Sequence, residues 1–208
     1  MDHRDGDRRV VAPPTATPGR VIDTSKLDVA AAEQAARDLL RAVGADTDSP
    51  DLRETPRRVA ATFAELLTPA EFGATVFANE GYDELVLVRD ISFQTLCMHH
   101  LLPFHGVAHV AYLPGDSIIG LSKLARVVEF FARDLQLQER MTVQIADWLE
   151  EELAPRGVGV VLSAEHMCMT IRGVRKPGAR TVTSALRGTL RTDARTRQEF
   201  FSLVDKCG

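Results

Sequence analysis

The stretch GVGVVLSAEHMCMTIRG, residues 157–173, decides the fold. Its β-branched and apolar residues alternate with small or polar ones, the two-residue period of a half-buried strand. On such a strand His166 and Cys168 share the face that carries Val160, Leu162 and Ala164. Downstream, ARTVTSALRGTLRT (179–192) has the same character and is expected to pair with it. Upstream, DELVLVRDISF (83–93) and HGVAHVAYLPG (105–115) read as two more strands. The second ends at Pro114-Gly115, and DSIIG (116–120) extends the pair. Between these strand pairs the period becomes helical, in SKLARVVEFFARDL (122–135), with Ser122 as N-cap, and QERMTVQIADWLEEEL (138–153). Strand, strand, helix, helix, strand, strand points to an α+β domain with helices against one face of an antiparallel sheet.

Residues 1–25, rich in charge, Pro, Thr and Gly, read as a flexible arm. A helical segment, 26–70, follows. Its first helix, DVAAAEQAARDLLRAVG (28–44), runs from an N-cap at Asp28 to a stop at Gly44. Its second, ETPRRVAATFAELL (54–67), has Pro56 in the first turn. Residues 71–208 form the main domain, closed by a short helix in TDARTRQEFFSLV (192–204). The 208 residues carry a formal net charge of −4, which gives no global argument for a nucleic-acid or acidic-membrane partner. The longest apolar run is far short of a membrane span, and the N-terminus lacks the apolar core of a signal peptide. Three cysteines, Cys97, Cys168 and Cys207, are too few for a disulfide framework. A cytoplasmic protein with reduced thiols is the expectation.

The chemistry concentrates in CMHHLLPFH (97–105) and EHMCM (165–169). Thiolate and imidazole are the preferred zinc ligands, and three protein ligands leave a position open for water. Cys97 and His100 have the C-x2-H spacing that lets both reach one ion from a tight turn, and Cys168 could complete the set. His99 and His166 would then lie nearby without serving as ligands. Two other readings stay open at this level: small buried thiols with histidines satisfied in a turn, or a structural zinc. The latter is normally four-coordinate, and Cys207, beside the C-terminus, is a poor fourth ligand.

Several segments in one order resemble the GTP cyclohydrolase I family over roughly residues 50–206. They are HHLLPFHGVAHVAYLPG (99–115), IIGLSKLARVVEFFARDLQLQERMTVQIA (118–146), GVGVVLSAEHMCMTIRGVRKPGARTVTS (157–184) and TRQEF (196–200). The resemblance implies a tunnelling fold, with antiparallel sheets that close into a barrel by homo-oligomerisation, typically as a decamer with active sites between subunits. It implies catalytic Zn2+ on Cys97, His100 and Cys168, and hydrolytic opening of the imidazole ring of GTP. Formate leaves, and the remainder rearranges to 7,8-dihydroneopterin triphosphate, a pterin and folate precursor. His166 matches the histidine that handles the proton at the ring nitrogen, His99 the one beside the reacting centre, and Ser122 the serine of the ribose steps. Glu139 matches the glutamate that accepts the guanine N1–H and N2–H2, with Gln138 as a supporting contact. Lys123, Arg126, Arg172 and Arg58 match positions that face the triphosphate.

The chain departs from the family pattern at two places. Met98 stands where the family has Glu between a zinc ligand and a catalytic imidazole, and a thioether cannot carry charge or accept strong hydrogen bonds. Ala61 stands where many relatives carry Lys or Arg. Met98 keeps an alternative in view, a specialised paralogue that stops at a ring-opened formamidopyrimidine nucleotide or serves another pterin or deazapurine route. A non-catalytic nucleotide-binding subunit is a third reading, and intact Cys97, His100, Cys168 and His166 speak against it.

Overall fold

A computed structural model describes residues 9–11, 20–71 and 73–205. In chain order it contains β1 (Arg9–Val11), a 3-10 turn (Thr24–Lys26), α1 (Val29–Ala42), α2 (Thr55–Leu67), β2 (Ala74–Ala78), β3 (Val86–Cys97) and β4 (Pro103–Leu113). There follow β5 (Ser117–Ile119), α3 (Leu121–Ala132), β6 (Leu135–Gln136), α4 (Gln138–Leu153), β7 (Gly157–His166), α5 (Met167–Thr170), β8 (Arg180–Arg187), α6 (Gly188–Thr192) and α7 (Ala194–Asp205). The class is α+β. Cys207 and most of the N-terminal arm lie outside the described residues.

The main sheet has the order β6-β3-β4-β7-β8, antiparallel except for the short parallel pair of β3 with β6. A second sheet, β1-β2-β5, is separate. DSIIG therefore does not extend the 105–115 strand as its sequence suggests; β5 pairs with β2, Val76 opposite Ile119. The hydroxyl of Tyr112 on β4 accepts the Ile119 N–H at 3.2 Å and ties the small sheet to the large one.

Alternation along β4 and β7 puts Phe104, Ala108, Val110, Tyr112, Val158, Val160, Leu162 and Ala164 on one face, all buried. Against it lie α3 and α4 with Leu124, Val128, Phe131, Met141, Ile145 and Leu149, forming one continuous core. The opposite face is not left bare. Ala111 and Val161 meet Leu190 of α6 and Phe200 of α7 in a second buried cluster. This corrects the expectation of helices on one face only. Two glycines make the second layer possible. A Cβ on Gly159 would sit 2.7 Å from Leu190 and 2.9 Å from the Phe200 ring. Gly188, at φ +54°, ends β8 and turns the chain into α6, so the strand stops short of residue 192.

At α1 the sequence is read correctly: the Asp28 carboxylate accepts the Ala31 N–H at 2.9 Å, and Gly44 takes φ +89° just past the end. Ser122 is different. The helix begins at Leu121 with Gly120 as N-cap, and Ser122 makes no capping bond. The segment at 20–22, within the expected arm, is held by buried Asp134. Its carboxylate accepts the N–H groups of Val21 at 2.8 Å, Ile22 at 3.0 Å and Leu135 at 2.8 Å. The Asp134 carbonyl in turn accepts the Thr95 hydroxyl at 3.1 Å, two residues from Cys97.

Candidate metal centre

Cys97 closes β3 with its side chain in the core, at 5% exposure. The chain then turns sharply through 98–101. The Cys97 carbonyl accepts the N–H groups of His100 at 3.3 Å and Leu101 at 2.8 Å, and Leu101 adopts φ +55°, an uncommon conformation for a branched side chain. This curl brings His100 Nδ1 to 3.9 Å from Cys97 Sγ. Met98, beside them, is half-buried and donates its N–H to the Gln136 carbonyl at 3.1 Å.

Cys168 arrives by a different route from the one its sequence suggests. The strand ends at His166, and residues 167–170 form one helical turn, fastened by the Thr170 hydroxyl donating to the His166 carbonyl at 3.0 Å. Cys168 is thus not on the strand face of Val160 and Leu162; the turn swings it back toward Cys97. Glu165 secures the loop that follows, accepting the Gly178 N–H at 2.9 Å and the Thr170 hydroxyl at 3.2 Å. Those two bonds hold its carboxyl below the ordinary range, the Gly178 contact contributing most.

Ligand atoms of Cys97, His100 and Cys168 all lie within 4.8 Å of one another. Tetrahedral zinc with ordinary bond lengths needs ligand–ligand separations of about 3.6–3.8 Å. The three groups match that after small side-chain adjustments. Burial, and next the adjacent Cys97 thiol, push the Cys168 thiol up. Arg172 donates to His100 Nε2 at 3.1 Å, and its exposed side chain can release that nitrogen when the imidazole serves as a ligand.

His166 stands next to the cluster. Its ring stacks on Phe104 at 4.3 Å and 7°, and its Nε2 meets Gln138 Oε1 at 2.8 Å. Burial lowers its pKa, with the negative charge of Glu139 opposing. Glu139 itself is exposed in the first turn of α4, close enough to act on that imidazole. Gln138, expected as a supporting contact to guanine, lies behind His166. Its side chain is 1% exposed, its amide nitrogen is engaged by Leu162, Thr181 and Thr183, and its oxygen meets His166. His99 is exposed, its ring edge-on to His100 at 6.2 Å. Ser122, Lys123 and Arg126 line the start of α3, and Arg58 lies on α2. Among the described residues no hydrogen bond or ion pair joins these four to the cluster. The sequence reading also passes over Phe104, whose place opposite His166 is set by the β4–β7 register.

The family model described as GTP cyclohydrolase I matches residues 32–205. A protein named GTP cyclohydrolase 1 from Streptomyces coelicolor is 54% identical over 186 residues, covering 86% of this chain and 92% of its own. The protein of that name from Bacillus subtilis is 54% identical over 180 residues, covering 84% of this chain and 94% of its own. One from Aquifex aeolicus is 53% identical over 173 residues, covering 83% and 94%.

Proposed function

The chain belongs to the GTP cyclohydrolase I family, and on that premise we propose that it hydrolyses GTP to 7,8-dihydroneopterin triphosphate and formate. The observation that carries the proposal is the convergence of Cys97, His100 and Cys168 within 4.8 Å, beside a histidine held in a fixed orientation. Those three residues would hold zinc. A Cys2His set also accepts iron, and a closed-shell ion suits hydrolysis better. When bound, the ion supplies Lewis acidity that lowers the pKa of water at the site.

The remaining work belongs to the side chains. His166 moves the proton at the guanine ring nitrogen, a task for an imidazole that stays neutral near operating pH. Its lowered pKa supports that state. His99 lies beside the reacting centre, and Ser122 serves the ribose rearrangement. Glu139 accepts the N1–H and N2–H2 of guanine, a donor pair that adenine lacks. Lys123, Arg126, Arg172 and Arg58 supply positive charge for the triphosphate, the first two from the first turns of a helix whose N-terminus adds to it.

A tunnelling-fold oligomer, probed as a decamer, completes the proposal. Its support is twofold: β8 forms an edge of the main sheet, and Ile171, Val174 and Val182 are exposed at 62%, 63% and 65%. Joining such an edge to a second copy satisfies its backbone groups and covers these side chains. Such an assembly would also bring in the groups that one chain leaves apart, Arg58 and the α3 cations. No described helix is long and apolar enough to cross a membrane, and the proposed location is the cytoplasm.

The deciding experiment incubates the zinc-loaded protein with GTP and follows formate and pterin fluorescence together. Equal yields of both are expected. Formate without pterin would establish the ring-opening paralogue, the alternative that Met98 favours. Neither product would overturn the assignment.

A further inference from the structure

The hydrogen bonds around Gln138 have only one consistent set of directions. Its Nε2 lies 3.2 Å from the Leu162 carbonyl, 2.9 Å from the Thr181 carbonyl and 3.1 Å from the Thr183 hydroxyl. Carbonyl oxygens only accept, so this end of the amide must be the NH2 group. A flipped amide would set an oxygen against two oxygens in a site that is 1% exposed, where no bulk water relieves the conflict. The threonines agree. Thr142 donates to the Gln138 main-chain carbonyl at 2.7 Å, so its oxygen is left to accept from Thr183 at 2.7 Å. Thr183 then has its lone pairs free for the Gln138 amide.

It follows that Gln138 Oε1 is an acceptor, and the His166 nitrogen 2.8 Å away must donate to it. A bare Nε2 would face that oxygen lone pair to lone pair. The Phe104 ring, stacked 4.3 Å from His166 at 7°, fixes the imidazole plane, and a half-turn within that plane would set a ring C–H against Gln138 Oε1 and forfeit the bond. The His166 imidazole makes no other hydrogen bond among the described residues.

We propose that Gln138 is a positioning residue that fixes His166 as the Nε2–H tautomer, leaving Nδ1 as its bare, accepting nitrogen. The inference rests on the proposed role of His166 in proton transfer, which its test keeps separate.

The experiment uses full-length zinc-loaded protein labelled with 15N at histidine, with ring nitrogens resolved by long-range 1H–15N correlation at a pH where His166 is neutral. The His166 signals are assigned by their loss in His166→Gln. A protonated Nε2 and a bare Nδ1 are expected. A bare Nε2 with a protonated Nδ1 overturns the inference. In Gln138→Met, with folding checked by retained zinc, both nitrogens should move toward averaged shifts and kcat should fall more than KM changes. Parental shifts in that variant would remove Gln138 from the role, and the wild-type measurement stands if the variant does not fold. If His166→Gln releases formate at the parental rate, the proton-transfer reading fails while the tautomer result survives.

Discussion

Replacing Gly159 by alanine tests how the second layer of the fold is built. The new methyl group would meet Leu190 Cδ2 at 2.7 Å and two Phe200 ring carbons at 2.9 Å. Ordinary carbon contacts lie near 3.5–4.0 Å, so the intrusion is roughly 0.6–1.3 Å. Leu190 and Phe200 are both fully buried, and Ala111 and Val161 fill the space behind them. Relief must come from shifting a packed helix pair, at about 1–3 kcal/mol. Against this, alanine gains roughly 0.5–1 kcal/mol over glycine within a strand. At central values overpacking wins, for a net loss of about 1 kcal/mol, or roughly 2–4 °C in Tm at this chain length. Circular dichroism melts at one fixed protein concentration would measure it, because association shifts the midpoint. Phe200→Leu should cost less in the Gly159→Ala background than alone, since it vacates the contested space. An unchanged or higher Tm for Gly159→Ala, with the two substitutions additive, would refute the close packing of α6 and α7 on this face.

Cys168→Ser should abolish zinc retention, read as metal per subunit after dialysis, while gel filtration still shows the parental assembly. Retained zinc would break the ligand assignment. Glu139→Gln should weaken guanine-nucleotide binding by about 1–3 kcal/mol in calorimetry, as a charge-assisted pair becomes a mismatched one; equal affinity would take Glu139 out of the site. Met98→Glu should raise pterin formed per formate released, and a ratio already at one in the parent and untouched by the change would show that position 98 does not control the reaction. Burial pushes the His109 imidazole below its ordinary value despite the pull of Asp90. The unfolded chain therefore takes up its proton first, near pH 6.5. Stability from His109 is complete above that pH and drains away as pH falls toward the lowered folded value. His109→Gln should flatten the decline of Tm between about pH 7 and pH 5; an equally steep decline would point to other groups.

The three residues that converge were legible because each residue type has few other uses, whereas the path that unites them was not. Alternation carried past His166 predicts a strand through Cys168, since nothing in MCMT itself signals that pairing stops. The strand β2 and its partner β5, five and three residues long, are too short for a period to show. Ser122 has the chemistry of an N-cap, but Gly120 ends the preceding strand one step early and takes that place. Gln138 illustrates a deeper limit. Its neighbours Leu162, Thr181 and Thr183 come from two strands far along the chain, so burial and the direction of its hydrogen bonds exist only once those strands meet α4. The second helical layer was hidden for the same reason. Gly159 reads as a weak point in a strand until Leu190 and Phe200 are seen resting on it.

Asp134 joins segments that leave the ribosome far apart in time. Val21 and Asp134 are separated by 113 positions. At elongation rates of about 5–20 residues per second, the N-terminal segment waits roughly 6–23 s before its docking place exists. Cys97 and His100 emerge before that docking place too, and Cys168 only after it. During synthesis two of the three candidate ligands appear first, Asp134 next, and Cys168 last. A metal ion held by these three residues therefore becomes possible only after the docking place at Asp134 has been made.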